Sequence, residues 1–171
     1  MIKPARIKAT NMMEANEKIY KKLVQYISPE QDLGQGKKNQ TVKYIDFDNP
    51  ENNEYIVMNQ YKVKGNENII PDIVVFVNGI PVGVIECKNE TTCNEPEPEA
   101  ISQLRRYQGI RDNKDEGAEQ LFYPDQILVA AWKEGASHCT IGAPAREFKQ
   151  WKDPLTLMKK RNSVIRHDFS Q

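Results

Sequence analysis

Pro71-Asp72-Ile73-Val74-Val75-Phe76-Val77-Asn78-Gly79-Ile80-Pro81-Val82-Gly83-Val84-Ile85-Glu86-Cys87-Lys88-Asn89 is the stretch that decides the fold. Its two apolar runs, Ile73–Val77 and Val82–Cys87, flank an Asn-Gly step, the strongest short-range signal for a β-hairpin. The second run is almost wholly apolar, which suits a central strand buried on both faces. The open ends of the two strands carry the only polar chemistry: Asp72 on one, Glu86 and Lys88 on the other. On a strand Glu86 and Lys88, two residues apart, project from the same face. Two carboxylates and a lysine at one place suit hydrolysis of a phosphodiester. A hard divalent cation such as Mg²⁺ takes one or two carboxylates plus water and phosphate oxygens. The carbonyl of Cys87 offers a third protein ligand, and Lys88 is placed to orient or help deprotonate the attacking water.

Strand parity tests this reading. A plain two-residue Asn78-Gly79 turn pairs Val77 with Ile80 and Asp72 with Ile85, sending Asp72 and Glu86 to opposite faces. A shared metal therefore requires an odd-length connection or a bulge in one strand. The competing interpretation is a surface hairpin with solvated strand ends. The apolar flanks speak against it, because a buried acid needs a partner.

Outward from the hairpin, residues 12–27 carry Ile19, Tyr20, Leu23, Val24 and Ile27 at helical spacing, with Thr10 or Asn11 as cap and Ser28-Pro29 as stop. Residues 30–40 are Gly-rich and polar and read as a loop. Val42–Phe47 and Tyr55–Val63 read as strands, with Asp48-Asn49-Pro50 turning between them. After the hairpin a helix is expected over 98–110, with Glu97 and Glu99 at its positive end. Gln126–Ala131 then reads as a buried strand, Cys139–Ile141 as a short strand and Arg146–Trp151 as a short helix. The expected architecture is α/β (α+β), a mixed central sheet flanked by helices.

The helix after the hairpin adds a second constellation. Gln103 and Tyr107 are four apart and share a face with Ala100 and Leu104. A glutamine on the sheet-facing side must find partners, and a catalytic cleft supplies them.

Composition sets limits on function. The 171 residues hold 24 basic and 24 acidic side chains, 39% hydrophobic and 28% charged residues, an ordinary globular balance. No apolar run approaches a membrane span, and the start lacks a signal-peptide core. Cys87, Cys93 and Cys139 are odd in number without a CxxC pair, so reduced thiols are expected and a zinc site is not. Zero net charge argues against tight autonomous DNA binding, since phosphate neutralisation supplies most non-specific affinity. A nuclease handed its DNA by a partner remains compatible with it.

The order PD…ExK followed by QxxxY resembles the nuclease domain of type I restriction endonuclease R subunits, within the wider PD-(D/E)xK nucleases. The likeness runs through Tyr44–Asn53 (YIDFDNPENN), Asn59-Gln60, Pro71–Pro81, Glu86–Asn89 and Gln103–Tyr107. It implies a restriction-endonuclease-like sheet, Mg²⁺ bound by Asp72 and Glu86, Lys88 as catalytic lysine, and Gln103 and Tyr107 supporting DNA or the active site. The family often has leucine where Cys87 stands, a tolerable change if only the carbonyl is used. Many members of the wider fold add an acid from an early helix, and Glu14 and Glu17 are unassigned candidates. The resemblance further implies double-stranded DNA as substrate, with modification (methyltransferase) and specificity subunits as partners through the full-length protein. It also implies a bacterial or archaeal cytoplasmic setting. Family subunits are several times longer and carry ATP-driven motor domains. No GxxxxGK[ST] phosphate loop occurs here, so ATP is expected only elsewhere in such a subunit and this chain to be a fragment or a truncated product. Residues 1–155 are expected to form the nuclease domain and 156–171 (Lys159, Lys160, Arg161, Arg166) a basic linker. The alternative reading is a non-catalytic module of the same fold that docks DNA or subunits through a degenerate metal site.

Overall fold

The computed structural model describes residues 8–32, 34–89, 91–111 and 115–152. The proposed linker at 156–171 therefore lies outside the described residues. Helix α1 spans Met12–Val24, and its cap is Asn11, whose side chain accepts from the Glu14 N–H. Two short strands, β1 (Glu30–Asp32) and β2 (Lys37–Asn39), pair antiparallel. A six-stranded sheet follows, in the order β3 (Tyr55–Asn59), β4 (Ile73–Val77), β5 (Ile80–Lys88), β6 (Ile127–Trp132), β7 (Gly135–Cys139), β8 (Lys149–Gln150). All neighbours are antiparallel except β5 and β6. That parallel pair needs a crossover, and helix α2 (Pro96–Tyr107) provides it.

Alternation along the strands builds one core. Val74 and Phe76 of β4, Val84 of β5, and Leu128 and Ala130 of β6 meet Ala100, Ile101, Leu104 and Tyr107 of α2. Tyr107, Leu104, Phe122, Leu128, Val74 and Val84 are each 2% exposed or less. Burying each large side chain contributes roughly 1.5–3 kcal/mol, so α2 is locked over the middle of the sheet. That fixes the face from which Gln103 looks towards β5.

Several sequence expectations are corrected. Residues 30–40 form the β1–β2 hairpin rather than a loop. The polar composition hid it, because both strands are fully exposed and carry no apolar alternation. Val42–Phe47 is not a strand: only Val42 bridges to Ile27, and the chain then bends around Asp46. Strand β3 stops at Asn59 instead of Val63, because Gln60 takes a left-handed conformation (φ 50°). The region after Pro144 is a 3-10 turn at Ala145–Glu147 and then β8, not a helix, because the backbone pairs with β7. The expected strand at Cys139–Ile141 lies earlier, at Gly135–Cys139, where Trp132 and Gly135 close the turn after β6.

The hairpin itself resolves the parity question. Asn78 (φ 52°) and Gly79 (φ 75°) form a two-residue turn with Val77 opposite Ile80, and two positive φ values suit the right-handed twist of the strands. Further along, Phe76 pairs with Pro81 but Val75 with Gly83, so Val82 is an extra residue. With this bulge Ile73 stands opposite Ile85, and Asp72 continues opposite Glu86. The bulge returns both acids to one face.

Candidate functional site

Asp72, Glu86, Lys88, Gln103 and Tyr107 are brought together where the open end of the β4–β5 hairpin passes under α2. Glu86 is 1% exposed. Its Oε1 accepts from Lys88 Nζ at 3.1 Å, while its buried Oε2 receives no hydrogen bond. Lys88 Nζ also donates to Gln103 Oε1 at 2.6 Å, Gln103 Nε2 to the Tyr107 hydroxyl at 2.5 Å, and that hydroxyl to the carbonyl of Ile70 at 3.2 Å. Ile70 stands two residues before Asp72, so this chain of bonds returns to the segment that carries the first acid. Asp72 is held at both oxygens: Oδ1 accepts from Gln60 Nε2 at 2.7 Å and Oδ2 from the backbone N–H of Cys87 at 2.9 Å.

The electrostatics follow from burial. Desolvation pushes the Glu86 carboxyl up to about 7; the Lys88 ammonium opposes the rise, and the adjacent Asp72 carboxylate adds to it. The buried Glu86 carboxyl and the half-buried Asp72 carboxyl share one lysine, so negative charge there is under-compensated. Burial likewise raises the Tyr107 phenol, partly offset by Gln103, which keeps its proton available to the Ile70 carbonyl.

A divalent cation fits this arrangement. Glu86 Oε2 is a buried carboxylate oxygen with no donor, Asp72 stands opposite on the same face, and the surplus negative charge lacks a counter-charge. Among the described residues no cluster of three or more His, Cys, Asp or Glu side chains could hold a metal. A cation here would therefore rest on two carboxylates, a main-chain oxygen such as that of Cys87, and water. Mg²⁺ is commonly held in this way.

Other candidates are placed elsewhere. Glu14 is engaged along α1 by Thr10 and Lys18, and Glu17 by Lys21, so neither is drawn into the cluster. Glu99, read as a helix-end charge, has a further role: its Oε1 lies 3.9 Å from Lys88 Nζ and its Oε2 accepts from Cys93 Sγ. Sequence reasoning gave Gln60 no role of its own; its only signals were a polar side chain within an apolar run and its place in the Asn59-Gln60 step of the family likeness. The three cysteines are free. No helix among the described residues is long and apolar enough to cross a membrane.

Comparison with known proteins bears on this geometry. A family model described as type I restriction enzyme R protein N terminus matches residues 2–144. The type I restriction enzyme HindI endonuclease subunit of Haemophilus influenzae is 30% identical over 144 residues, 83% of this chain and 13% of that protein. A Methanocaldococcus jannaschii protein named for the endonuclease subunit of type I restriction enzyme MjaVIIIP is 46% identical over 79 residues, 44% of this chain and 8% of its own length. The chain thus spans only about a tenth of the length of the curated relatives it matches.

Proposed function

Since this chain belongs to the family of type I restriction enzyme R protein N termini, we propose that it is a Mg²⁺-dependent nuclease module that hydrolyses phosphodiester bonds of double-stranded DNA. The observation that carries the proposal is the unpaired, buried Oε2 of Glu86 beside Asp72, with Lys88 on the same face.

Asp72, Glu86 and the Cys87 carbonyl would hold the cation. When bound, it lowers the pKa of a coordinated water and offsets charge on the phosphate. The remaining work falls to the protein. Lys88 keeps its ammonium aimed by two acceptors, Glu86 Oε1 and Gln103 Oε1. From there it orients the attacking water and balances the negative charge that grows on the phosphate oxygens as the P–O bond to the leaving sugar breaks. Gln103 cannot turn its amide, because its Nε2 is occupied by Tyr107. Its carbonyl oxygen therefore stays on Lys88. As the attacking water's oxygen bonds to phosphorus it gives one proton to solvent, and the departing sugar oxygen takes one proton from solvent, so the hydrolysis balances.

Neutral overall charge suits a module whose DNA is delivered by other parts of a larger protein. The modification and specificity subunits and the ATP-driven motor belong to this proposed context, as does a cytoplasmic setting. The test is calorimetric titration of Mn²⁺ into the chain and into Glu86→Ala, with plasmid cleavage by both. Binding by the unaltered chain that disappears in the variant supports the nuclease site. Equal heats in the two proteins, or none in either, would leave a docking module of the same fold.

A further inference from the structure

Gln60 sits one residue beyond β3 in the left-handed region of backbone space, at φ 50°. Non-glycine residues avoid this region because Cβ crowds the backbone. Apart from the turn residue Asn78, it is the only non-glycine with positive φ among the described residues. The side chain of Gln60 is exposed, so core packing does not require it. Glycine would make the same bend without the penalty.

What glutamine adds is the amide. Its Nε2 donates to Asp72 Oδ1 at 2.7 Å, while its backbone N–H donates to the carbonyl of the same residue at 2.8 Å. The neighbouring Tyr61 N–H bonds the Pro71 carbonyl, so the strained residue is clamped to the Pro71-Asp72 step. With Cys87 N–H on Oδ2, the carboxylate is fixed at both oxygens and cannot rotate about its terminal bond. Backbone strain at an exposed position, kept together with a side chain that orients an acid, points to a role at the site rather than in the fold.

We propose that Gln60 is a positioning residue for Asp72: its amide holds the carboxylate in the orientation needed to share a divalent cation with Glu86. This rests on the metal-site reading above. Outer partners that aim ligands commonly change metal affinity by about 10–100-fold when removed.

Mn²⁺ calorimetry and thermal melting on the full chain, Asp72→Asn, Gln60→Gly and Gln60→Asn separate the two ideas. Gln60→Gly removes both the amide and the strained Cβ. It should bind Mn²⁺ about tenfold more weakly while melting no lower than the unaltered chain. Gln60→Asn tolerates the left-handed backbone but carries its amide one methylene short of Asp72, so it should show the same loss even if the glycine variant folds poorly. At saturating Mn²⁺, the electron paramagnetic resonance spectrum of either variant should show altered zero-field splitting, a change that simple destabilisation does not produce. Wild-type affinity and spectrum in a folded Gln60 variant, with Asp72→Asn losing the ion, would overturn the positioning role alone. Absence of Mn²⁺ binding in the unaltered chain would overturn the metal site and this inference with it.

Discussion

The two ends of the β4–β5 hairpin are both crowded with polar side chains, yet their hydrogen-bond accounts differ. At the turn end Asn78 accepts from the Glu54 N–H and donates to the Tyr44 carbonyl and Asn53 Oδ1, each at 2.8 Å. Asn53, 9% exposed, donates to the carbonyls of Asp46 and Pro50 and accepts from the Asp46 N–H. Each amide is used at both its oxygen and its nitrogen. At the open end Glu86 keeps a buried oxygen with no donor and carries a carboxyl raised to about 7. A satisfied network rigidifies a fold, whereas an under-satisfied one holds free energy available to a ligand. The Tyr44–Asn53 block is thus a brace for the turn, and the unsatisfied acid lies at the other end.

The largest effect expected from this contrast is at Glu86. Glu86→Gln preserves shape and the contact with Lys88 but removes the charge. Mn²⁺ affinity should drop by on the order of 100-fold or more, with no loss in melting temperature; unchanged affinity breaks the contrast at once. Deleting Val82 comes next, because it removes the bulge and sends Asp72 and Glu86 to opposite faces. We expect metal binding to vanish and stability to fall by about 2–4 kcal/mol in urea denaturation. Retention of the ion would mean that parity does not assemble the site.

At the turn end the consequence should be purely structural. Asn78→Ala loses three side-chain hydrogen bonds at a left-handed position and should cost about 2–3 kcal/mol. Mn²⁺ affinity of the folded fraction should stay within about twofold, an approximation based on the independence of distant sites. A matching loss of affinity would show the two ends to be coupled.

Asp125 sharpens the same rule. It is fully buried two residues before β6, its oxygens find no well-formed hydrogen bond, and among the described residues no lysine or second acid acts on it. Burial pushes its carboxyl up to about 8, with the backbone N–H groups of Ile127 and Gln126 offsetting only part. The folded state then holds a proton that the unfolded chain, with a value near 3.8, releases. Its contribution to stability is intact below that value and declines as the pH rises to about 8. Asp125→Asn should therefore flatten the stability–pH curve by on the order of 1 kcal/mol or more between pH 5 and 8, leaving Mn²⁺ binding intact. Parallel curves for the two proteins would remove Asp125 as the source. An isolated unsatisfied acid is a cost to the fold; a site needs the second acid and the lysine.

Legibility varied with the kind of force at work. The apolar runs of β4, β5 and β6 and the period of α2 were readable because burial imposes alternation and helical spacing on residue type. The β1–β2 hairpin and β8 were not, because their short exposed strands are polar and carry no apolar run. At the site, Asp72, Glu86, Lys88, Gln103 and Tyr107 were legible as types and spacings. Their mutual contact depended on the bulge at Val82, which the flanking Pro81 and Gly83 permit but whose register only the pairing with β4 fixes. The contact of Gln60 with Asp72 was hidden for a related reason: it rests on a backbone angle and one side-chain hydrogen bond between residues 12 apart in sequence.

By itself the sequence determined which strands form the centre of the sheet, which helix covers them and which side chains carry charge to the strand ends, since these follow from local pattern and hydrophobic burial. Tertiary structure alone decided that Asp72 and Glu86 share a face, that Lys88 is held between Glu86 and Gln103, and that Gln60 grips Asp72. These depend on a one-residue bulge and on contacts between distant segments, which local pattern does not encode.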